Sequence, residues 1–360
     1  MNYTICKGEH PVYLQLYQQL RRDIIEGIYS YGSKLPSKRL LADETGVSTV
    51  TVEHAYALLC DEGYATSNQR SGYFVAFRQS DGFAAPAIAP VQSPVSHASH
   101  YYPDFSLSIL SKTMRKVLTD YAEAILEKSP NCGCTELREA LRQYLARNRG
   151  IRVSIDQIII GSGSEYLYGL IVELLGRDRI FAIESPSYKK IEQVYRAADV
   201  SCEALSLAQD GIDSKALAAS RAHILHTTPY RSFPSGVTAS ASKRHEYIRW
   251  AEIAERYIIE DDFESEFSVF ARPTETLFSL SDRDNVIYLN TFSKTISPAL
   301  RIAYMVLPER LATDFTDKLG FYSCTVPTYM QLVLAQLINN GDFERHINRV
   351  RRHKRKNGQP

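Results

Sequence analysis

Two apolar runs, at positions 286–289 and 302–308, enclose a polar loop that carries a single lysine, Lys294. The first run ends at Asn290, and the loop TFSKTISPALR places hydroxyl residues around the lysine and Arg301 seven positions after it. Short apolar runs bounded by turn residues are typical of buried strands. The stretch therefore predicts a lysine and an arginine at a strand end, which suits a Schiff base beside a bound phosphate. A solvated loop lysine is the alternative.

From Phe105 onward, helices alternate with apolar strands. The segment TELREALRQYLARNRGI places Leu137, Leu141 and Leu145 in line on an amphipathic helix. Such alternation is typical of an α/β fold with a mostly parallel sheet. In such sheets the loops at the carboxyl ends of the strands bind ligands.

Other strand ends in this region carry candidate functional residues. QIII enters the turn GSGS before a helix that opens with Glu165, and free N–H groups at such a start bind anions. FAIES leads to Tyr188, two prolines constrain the loop TPYRSFPSG, and RYIIEDD ends in Glu260, Asp261 and Asp262. An acid pair after a strand is typical of a surface turn. Beside the other loops, it also fits the carboxylate that pairs with the pyridine nitrogen of pyridoxal phosphate (PLP).

The first eighty residues follow a different pattern. Leu16, Leu20, Ile24 and Ile28 form one stripe on a helix predicted over 12–28. Two shorter helices follow, with N-caps at Ser37 and Ser48 and glycine stops at Gly46 and Gly63. The second has its inward face at Val52, Ala55, Tyr56 and Leu59, and a hairpin around NQRSG follows. This outline indicates a winged helix-turn-helix, with a purely structural helical cap as the alternative.

The motifs LPSKRLLADETGVSTVTVEHAYALLCDEGY and RSGYFV resemble the DNA-binding domain of GntR-superfamily repressors over residues 11–77. The resemblance implies phosphate contacts by Lys38 and Arg39, a recognition helix opened by Ser48, Thr49 and Thr51, and a wing at Arg70 and Gly72. Thr49 stands where the family often has arginine. Residues 1–78 hold eight Lys/Arg and eight Asp/Glu, so we expect modest affinity per copy and binding as a dimer at two half-sites.

Composition sets the limits on the remaining organisation. The chain of 360 residues is 44% hydrophobic and 23% charged, with a net charge of +1 and neither a signal core nor a long apolar run, which predicts a cytoplasmic protein without membrane contact. Six scattered cysteines favour reduced thiols, and the lone C-x-C at Cys132 and Cys134 argues against a metal site. An Ala/Pro/Ser-rich stretch predicts a linker at 79–103 between domains at 1–78 and 104–360, with a buried irregular segment as the alternative.

The segments EDDFESEF, TPYRSFPSG and LNTFSKTISPALRIAYMVLP, in this order behind a GntR head, resemble the MocR-type transcriptional regulators, nearest the kind that senses γ-aminobutyrate. These fuse a winged helix-turn-helix to a fold-type I aminotransferase-like domain. The resemblance implies that Lys294 forms the Schiff base with PLP and that Asp261 pairs with its pyridine nitrogen. It implies a phosphate site formed by Arg301, Ser293, Thr291 and the turn Gly163, Ser164 and Glu165, with Tyr188 against the cofactor ring.

Three features depart from the family pattern. Phe263 replaces a tyrosine that reaches the cofactor's phenolic oxygen, and Tyr230, Arg231 and Ser232 replace S-H-Q in the proline loop. Relatives continue beyond FERHINRVRR to complete a small domain with a carboxylate-binding arginine. The resemblance thus implies a C-terminally truncated domain. The Lys/Arg run predicts a solvated tail at 353–360, with a nucleic-acid-binding arm as the alternative.

Three functions follow as hypotheses. The first is a dimeric regulator of promoter DNA that senses an amine or amino acid by Schiff-base exchange at Lys294. The second is a working PLP-dependent aminotransferase, which sustained turnover of amino-acid and keto-acid pairs would indicate. The third is a truncated DNA-binding relative that senses nothing, because loss of a large part of a cooperative domain removes more than the ~5–15 kcal/mol that stabilises most domains.

Overall fold

The chain divides into two compact units, Met1–Ala98 and Ser99–Pro360, in a computed structural model. The structure describes residues 3, 5, 11–68, 71–78, 105–253, 256–267 and 275–356. The predicted linker at 79–103 and the wing residue Arg70 lie outside the described residues.

The N-terminal unit consists of three helices and a hairpin among its described residues. The helices are α1 (Val12–Ile25), α2 (Lys38–Thr45) and α3 (Thr49–Asp61), and the strands are β1 (Ala65–Asn68) and β2 (Gly72–Val75). The strands pair antiparallel with Ala65 opposite Val75 and Asn68 opposite Gly72. The predicted inward face of α3 is confirmed, since its four members are fully buried.

The prediction that α1 reaches Ile28 is wrong. The helix ends at Ile25, and Gly27 follows with a φ of 81°, a left-handed conformation that stops the helix. Ile28 is 55% exposed as a result, and the buried stripe is limited to Leu16, Leu20 and Ile24.

The C-terminal unit is an α/β domain. Its helices are α4 (Leu107–Tyr121), α5 (Thr135–Asn148), α6 (Ser164–Leu175), α7 (Lys189–Ala197), α8 (Ser214–Ala219), α9 (Ala241–Ala251), α10 (Leu277–Leu280), α11 (Glu309–Leu319), α12 (Thr328–Asn339) and α13 (Asp342–Lys356). Short 3₁₀ turns lie at Ala122–Leu126, Ile155–Gln157, Ser265–Phe267 and Pro298–Leu300. The strands are β3 (Ile158–Gly161), β4 (Ile180–Ser185), β5 (Ser201–Ala208), β6 (Gly211–Ile212), β7 (Ile224–Thr227), β8 (Tyr257–Asp261), β9 (Val286–Thr291) and β10 (Ala303–Val306).

These strands form one mixed sheet in the order β3-β10-β9-β8-β7-β4-β5-β6 across the described residues. Neighbours from β9 to β5 run parallel, whereas β10 is antiparallel to both β9 and β3, and β6 is antiparallel to β5. The predicted mostly parallel sheet is confirmed. The polar residues that follow β4, β7, β8 and β9 therefore meet at one edge of the sheet.

Each strand contributes alternate side chains to two faces of the sheet. In β8, Ile259 packs with helices α6, α7 and α11, whereas Ile258 packs with α9 on the opposite face. In β9, Ile287 and Leu289 share the face of Ile259, and Tyr288 lies against α5 and α12. Side chains in a strand alternate with period two, so each strand sends neighbouring polar residues to different environments at its carboxyl end.

Two further findings concern the end of the chain and membranes. Residues His353–Lys356 form the last turn of α13, so this part of the predicted basic tail is helical, although all of it except the half-buried Lys354 is exposed. The helix continues because Phe343, Ile347 and Val350 bury one stripe of it. Residues 357–360 lie outside the described residues, and every described helix is too short or too polar to span a bilayer.

Candidate cofactor site

Lys294 lies in the loop after the buried strand β9. Its Nζ atom is 2.7 Å from Glu264 Oε1 and 4.2 Å from the centre of the Phe263 ring. The lysine side chain is 31% exposed, so it is neither buried in the core nor fully solvated. In the same loop Ser293 N donates to Thr291 Oγ1 at 3.2 Å, which shapes the turn that presents the lysine.

Asp261 ends β8, the strand beside β9, and is 3% exposed. The hydroxyl of Tyr168 donates to Asp261 Oδ2, and His226 Nε2 lies 3.5 Å from the same oxygen. Asp261 Oδ1 has no hydrogen-bond partner among the described residues. Since Asp262 is only 1% exposed, the interpretation of the acid pair as a surface turn is wrong.

The glycine turn before α6 approaches Arg301 closely. Gly163 has a φ of 107°, a backbone conformation that favours glycine, and a Cβ atom there would come within 2.5 Å of Arg301 Nη2, so a larger residue would also displace the arginine. The helix begins at Ser164 without a side-chain cap, which leaves its first backbone N–H groups available to an anion. We call the turn and Arg301 the predicted anion site, and its role in phosphate binding remains a prediction.

The Glu165 carboxylate neutralises the cations at this turn. It accepts a hydrogen bond from Arg301 and is 3.1 Å from Lys190 Nζ. Burial raises the pKa of Glu165, but the bonds from Lys190 and Arg301 outweigh it and hold the pKa below its usual value. The carboxylate is therefore charged at neutral pH and competes with any phosphate for both cations.

One cavity of about 440 Å³ brings most of the predicted residues together. The predicted residues that line it are Ser164, Glu165, Tyr188, Asp261, Thr291, Ser293, Lys294 and Arg301. Gly163 immediately precedes Ser164. Tyr188 is 39% exposed and packs edge-on against Phe233, with ring centres 6.1 Å apart. The roles predicted for these residues remain predictions, but their proximity is a property of the fold.

Several residues at this site have no individual signal in the sequence. Tyr168 lies on α6 and His226 on β7, and both contact Asp261 from inside the fold. Glu264 pairs with Lys294 from the loop after β8. The alternation of side chains along RYIIEDD does distinguish Asp261 from Glu260 and Asp262. It places Asp261 on the same face of the sheet as Ile259.

A buried charge cluster lies on the other face of the sheet. We define it as Arg149, Asp262, Glu266, Tyr288 and Asn290, all of which are buried. Arg149 pairs with Asp262, and the Tyr288 hydroxyl donates to Asp262 Oδ2 at 2.6 Å. Asn290 Nδ2 donates to Glu266 Oε1 at 2.8 Å. Burial, and then the charge of Asp262, raises the pKa of Glu266 to about 7.

The predicted DNA-contacting residues of the N-terminal unit surround the start of α3. Ser48 Oγ accepts from Thr51 N at 3.1 Å, so Ser48 caps α3, the predicted recognition helix, and Thr49 is exposed. Lys38 Nζ is 2.8 Å from Glu53 Oε1, so a phosphate contact by Lys38 requires it to leave this exposed pair.

The other predicted DNA contacts lie on α2 and in the wing. Arg39 is exposed, and Gly72 has a φ of 109°, a backbone conformation that favours glycine. A Cβ atom at Gly72 would also lie 3.0 Å from Lys34 Cε, so the hairpin packs closely against Lys34.

Comparisons with known proteins find a separate family match for each part of the chain. Residues 12–75 match the family model for bacterial regulatory proteins, gntR family, and residues 101–357 match that for aminotransferase class I and II. The uncharacterized HTH-type transcriptional regulator YdeL of Bacillus subtilis is 32% identical, with 96% of this chain and 77% of that protein covered. The probable rhizopine catabolism regulatory protein MocR of Rhizobium meliloti is 28% identical, with 95% and 74% covered. The chain belongs to the MocR-type transcriptional regulators.

A solved structure gives the fold of this MocR-type regulator's second unit independently. The kynurenine aminotransferase of Pyrococcus horikoshii, in complex with PMP, superposes with a TM-score of 0.63 at 27% identity. The match covers 70% of this chain and 65% of the aminotransferase, so the regulator spans less than two thirds of that enzyme's length. The predicted fold class is confirmed by these matches.

Proposed function

We propose that the C-terminal unit of this regulator binds PLP and uses it to sense an amine or amino acid. The observation that carries the proposal is the meeting of Lys294, Asp261 and Arg301 at one cavity. An amine, a carboxylate and a phosphate-binding cation are the three groups that PLP requires of a protein.

The residues at the cavity fit PLP in two respects. Asp261 Oδ1 is a buried acceptor without a partner among the described residues, which is the group that a protonated pyridine nitrogen satisfies. Ser293 Oγ is likewise buried and without a partner in the described part of the chain, beside Arg301 and the start of α6. Buried polar atoms are normally hydrogen-bonded, so two such atoms at one cavity indicate a ligand.

Each residue has a distinct task in this proposal. PLP would supply an aldehyde that condenses reversibly with primary amines, and Lys294 would be the amine that holds it and that an effector amine replaces. Asp261 would accept a hydrogen bond from the protonated ring nitrogen, with Tyr168 and His226 fixing the carboxylate. Arg301 and the backbone N–H groups of Ser164 and Glu165 bind the phosphate. Tyr188 contacts the ring, and Phe263 contributes no hydrogen bond where the family has a tyrosine.

The cofactor proposal is tested by absorption spectroscopy. The purified chain mixed with PLP should develop the visible band of a lysine-bound cofactor, and Lys294→Ala should lack it. Lys318→Ala removes an exposed lysine on α11 and is the matched control. A band of equal intensity in Lys294→Ala would contradict the assignment of Lys294, and its absence from the wild type would contradict PLP binding.

We also propose that the N-terminal unit binds promoter DNA as part of a homodimer. Its equal numbers of Lys/Arg and Asp/Glu imply weak binding by one copy, and two heads on one operator compensate for this. An effector that binds one arrangement of the dimer better than another then changes DNA affinity. Sedimentation should give a dimer, and Arg39→Ala should weaken operator binding and reduce its salt dependence by about one phosphate contact. A monomer that binds the operator with full affinity would contradict the proposal.

A further inference from the structure

One carboxylate, that of Glu264, bridges Lys294 and Arg231. Lys294 Nζ lies 2.7 Å from Oε1, and Arg231 Nε lies 3.4 Å from Oε2. The side chains of Arg231 and Glu264 are 47% and 26% exposed, so both are accessible to a molecule from solution. Glu264 thus shows where a carboxylate binds when its partners are the reactive amine and a guanidinium.

The loop that carries Arg231 is fixed on both sides of it. The Tyr230 hydroxyl donates to Glu260, which also caps α10, and Ser232 Oγ donates to Glu184 Oε2 at 2.6 Å. Tyr230 and Ser232 are therefore structural, while Arg231 lies against the Glu264 carboxylate that also pairs with Lys294. A guanidinium held on a rigid loop binds a carboxylate with little loss of conformational freedom.

The surroundings of Glu264 carry an excess of positive charge. Burial lowers the pKa of Lys354 on α13, the charges of Arg231 and Lys294 lower it further, and Glu264 raises it. Two cations, Lys294 and Arg231, thus contact a single carboxylate, and Lys354 lies close enough for its pKa to respond to all three charges. This excess favours a second carboxylate, and it disfavours an effector that brings only an ammonium group.

We propose that Arg231 binds the carboxylate of an amino-acid effector, and that Glu264 occupies this position until the effector arrives. The proposal rests on the proposed function, because it places the effector's amine at the aldehyde with which Lys294 condenses. Arg231 is then a specificity-determining residue that distinguishes amino acids from simple amines. Arg301 and Lys190 do not take this role, because they lie at the phosphate end and are paired with Glu165.

The test is a titration of the PLP-loaded chain, followed by its visible spectrum, with pairs of ligands. Unbranched ω-amino acids of two to five carbons are compared with alkylamines of equal length. The wild type should prefer the amino acid in at least one pair, and Arg231→Gln should reduce that preference by about tenfold, the usual worth of one charged hydrogen bond. Glu264→Gln should increase it, because the competing charge is gone.

The opposite signs of the two variants are the decisive feature. Damage to the loop would shift both variants in the same direction, and it would affect alkylamines as much as amino acids. Arg231→Lys, which keeps the charge, should retain part of the preference. Arg310→Gln, an exposed position on α11, is the matched control and should behave as the wild type.

The two proposals fail in different ways. A wild-type chain without a visible band contradicts PLP binding, and the effector proposal falls with it. A chain whose band responds to amines, but whose preference is the same in Arg231→Gln and the wild type, contradicts the role of Arg231 alone. A wild type that prefers no amino acid over its alkylamine also overturns that role.

Discussion

Asp261 and Asp262 are adjacent in sequence and both are buried, yet they lie in opposite chemical situations. Asp262 has its charge paired with Arg149 and accepts a hydroxyl from Tyr288. Asp261 has one oxygen bound by Tyr168 and the other without a partner in the described structure. Asp262 thus stabilises the fold, whereas Asp261 remains available to a ligand.

The largest expected effect comes from removing Asp262. Asp262→Ala leaves the Arg149 charge buried without its partner, and losing one member of such a pair costs about 3–5 kcal/mol. Asp261→Asn keeps an oxygen that accepts the Tyr168 hydroxyl and should cost roughly 1 kcal/mol or less. Urea unfolding followed by fluorescence of Trp250, the only tryptophan in the sequence, measures both. Equal destabilisation by the two variants would remove the distinction.

Replacements of Asp261 and Asp262 should also differ in their effects on cofactor binding. Asp261→Asn removes the charge that favours a protonated pyridine nitrogen, so PLP binding and its spectrum should change while the fold persists. Because Asp262 lies on the other face, any effect of its replacement on PLP should follow the loss of folded protein. An Asp261→Asn chain that binds PLP like the wild type would contradict the proposed pairing.

A third prediction uses pH to examine the buried charge cluster. The pKa of Glu266 is about 7 in the folded chain and 4.5 as a reference, so the folded state binds a proton more tightly than the unfolded state. This contribution to stability is complete below pH 4.5 and disappears as pH rises through about 7. Asp262 raises the pKa of Glu266, whereas Arg149 and the hydrogen bond from Asn290 lower it. Ser265 Oγ and Arg351 also contact Glu266, the latter at its backbone oxygen.

Glu266→Gln isolates this effect, because glutamine resembles the protonated acid and its oxygen still accepts from Asn290. The variant should match the wild type at pH 4.5 and become the more stable of the two at pH 8. Urea unfolding at a series of pH values gives the difference directly. A variant that is less stable than the wild type at pH 8 would show that the charged form of Glu266 stabilises the cluster.

The apolar pattern of the sequence was enough to predict several strands of the sheet, but not their order. The apolar stretches 158–160, 257–259 and 286–289 have the length and composition of buried strands, and they are strands in the mixed sheet. The order of the strands, and hence the side-by-side positions of Asp261 and Lys294, depends on pairing between distant segments. A resemblance to a known family supplied that order, and the residues alone did not.

The parts that were missed depend on contacts between separate elements. Nothing in the sequence around Glu264 or Arg231 shows that one carboxylate bridges two cations, since 33 positions separate them along the chain. Arg149 follows an amphipathic helix and, as a charged residue, is expected at the surface. The fold instead buries it against Asp262. Conversely, the N-caps at Ser37 and Ser48 were predictable because their partners are three residues away.

A fourth prediction concerns the carboxylate at the predicted anion site. Glu165→Gln releases Arg301 and Lys190 from their ion pairs, so PLP, through its phosphate, should bind about fivefold more tightly. The exchange of Lys294 with an effector amine should change little, because Glu165 lies at the other end of the site. Weaker PLP binding in this variant, measured by titration, would show that Glu165 is needed to position Arg301.

The smallest expected effect on stability is at Ser293, whose hydroxyl is buried and has no partner among the described residues. Ser293→Ala removes an unsatisfied group, so the free energy of unfolding should stay within about 0.5 kcal/mol of the wild type or rise slightly. Ser48→Ala is the contrasting variant, because Ser48 satisfies Thr51 N and its loss should cost α3 about 1 kcal/mol, read from hydrogen exchange of the helix amides. If Ser293 binds the cofactor phosphate, Ser293→Ala should weaken PLP binding despite its unchanged stability. A larger loss of stability in Ser293→Ala than in Ser48→Ala would show that the Ser293 hydroxyl, like Asp262, stabilises the fold.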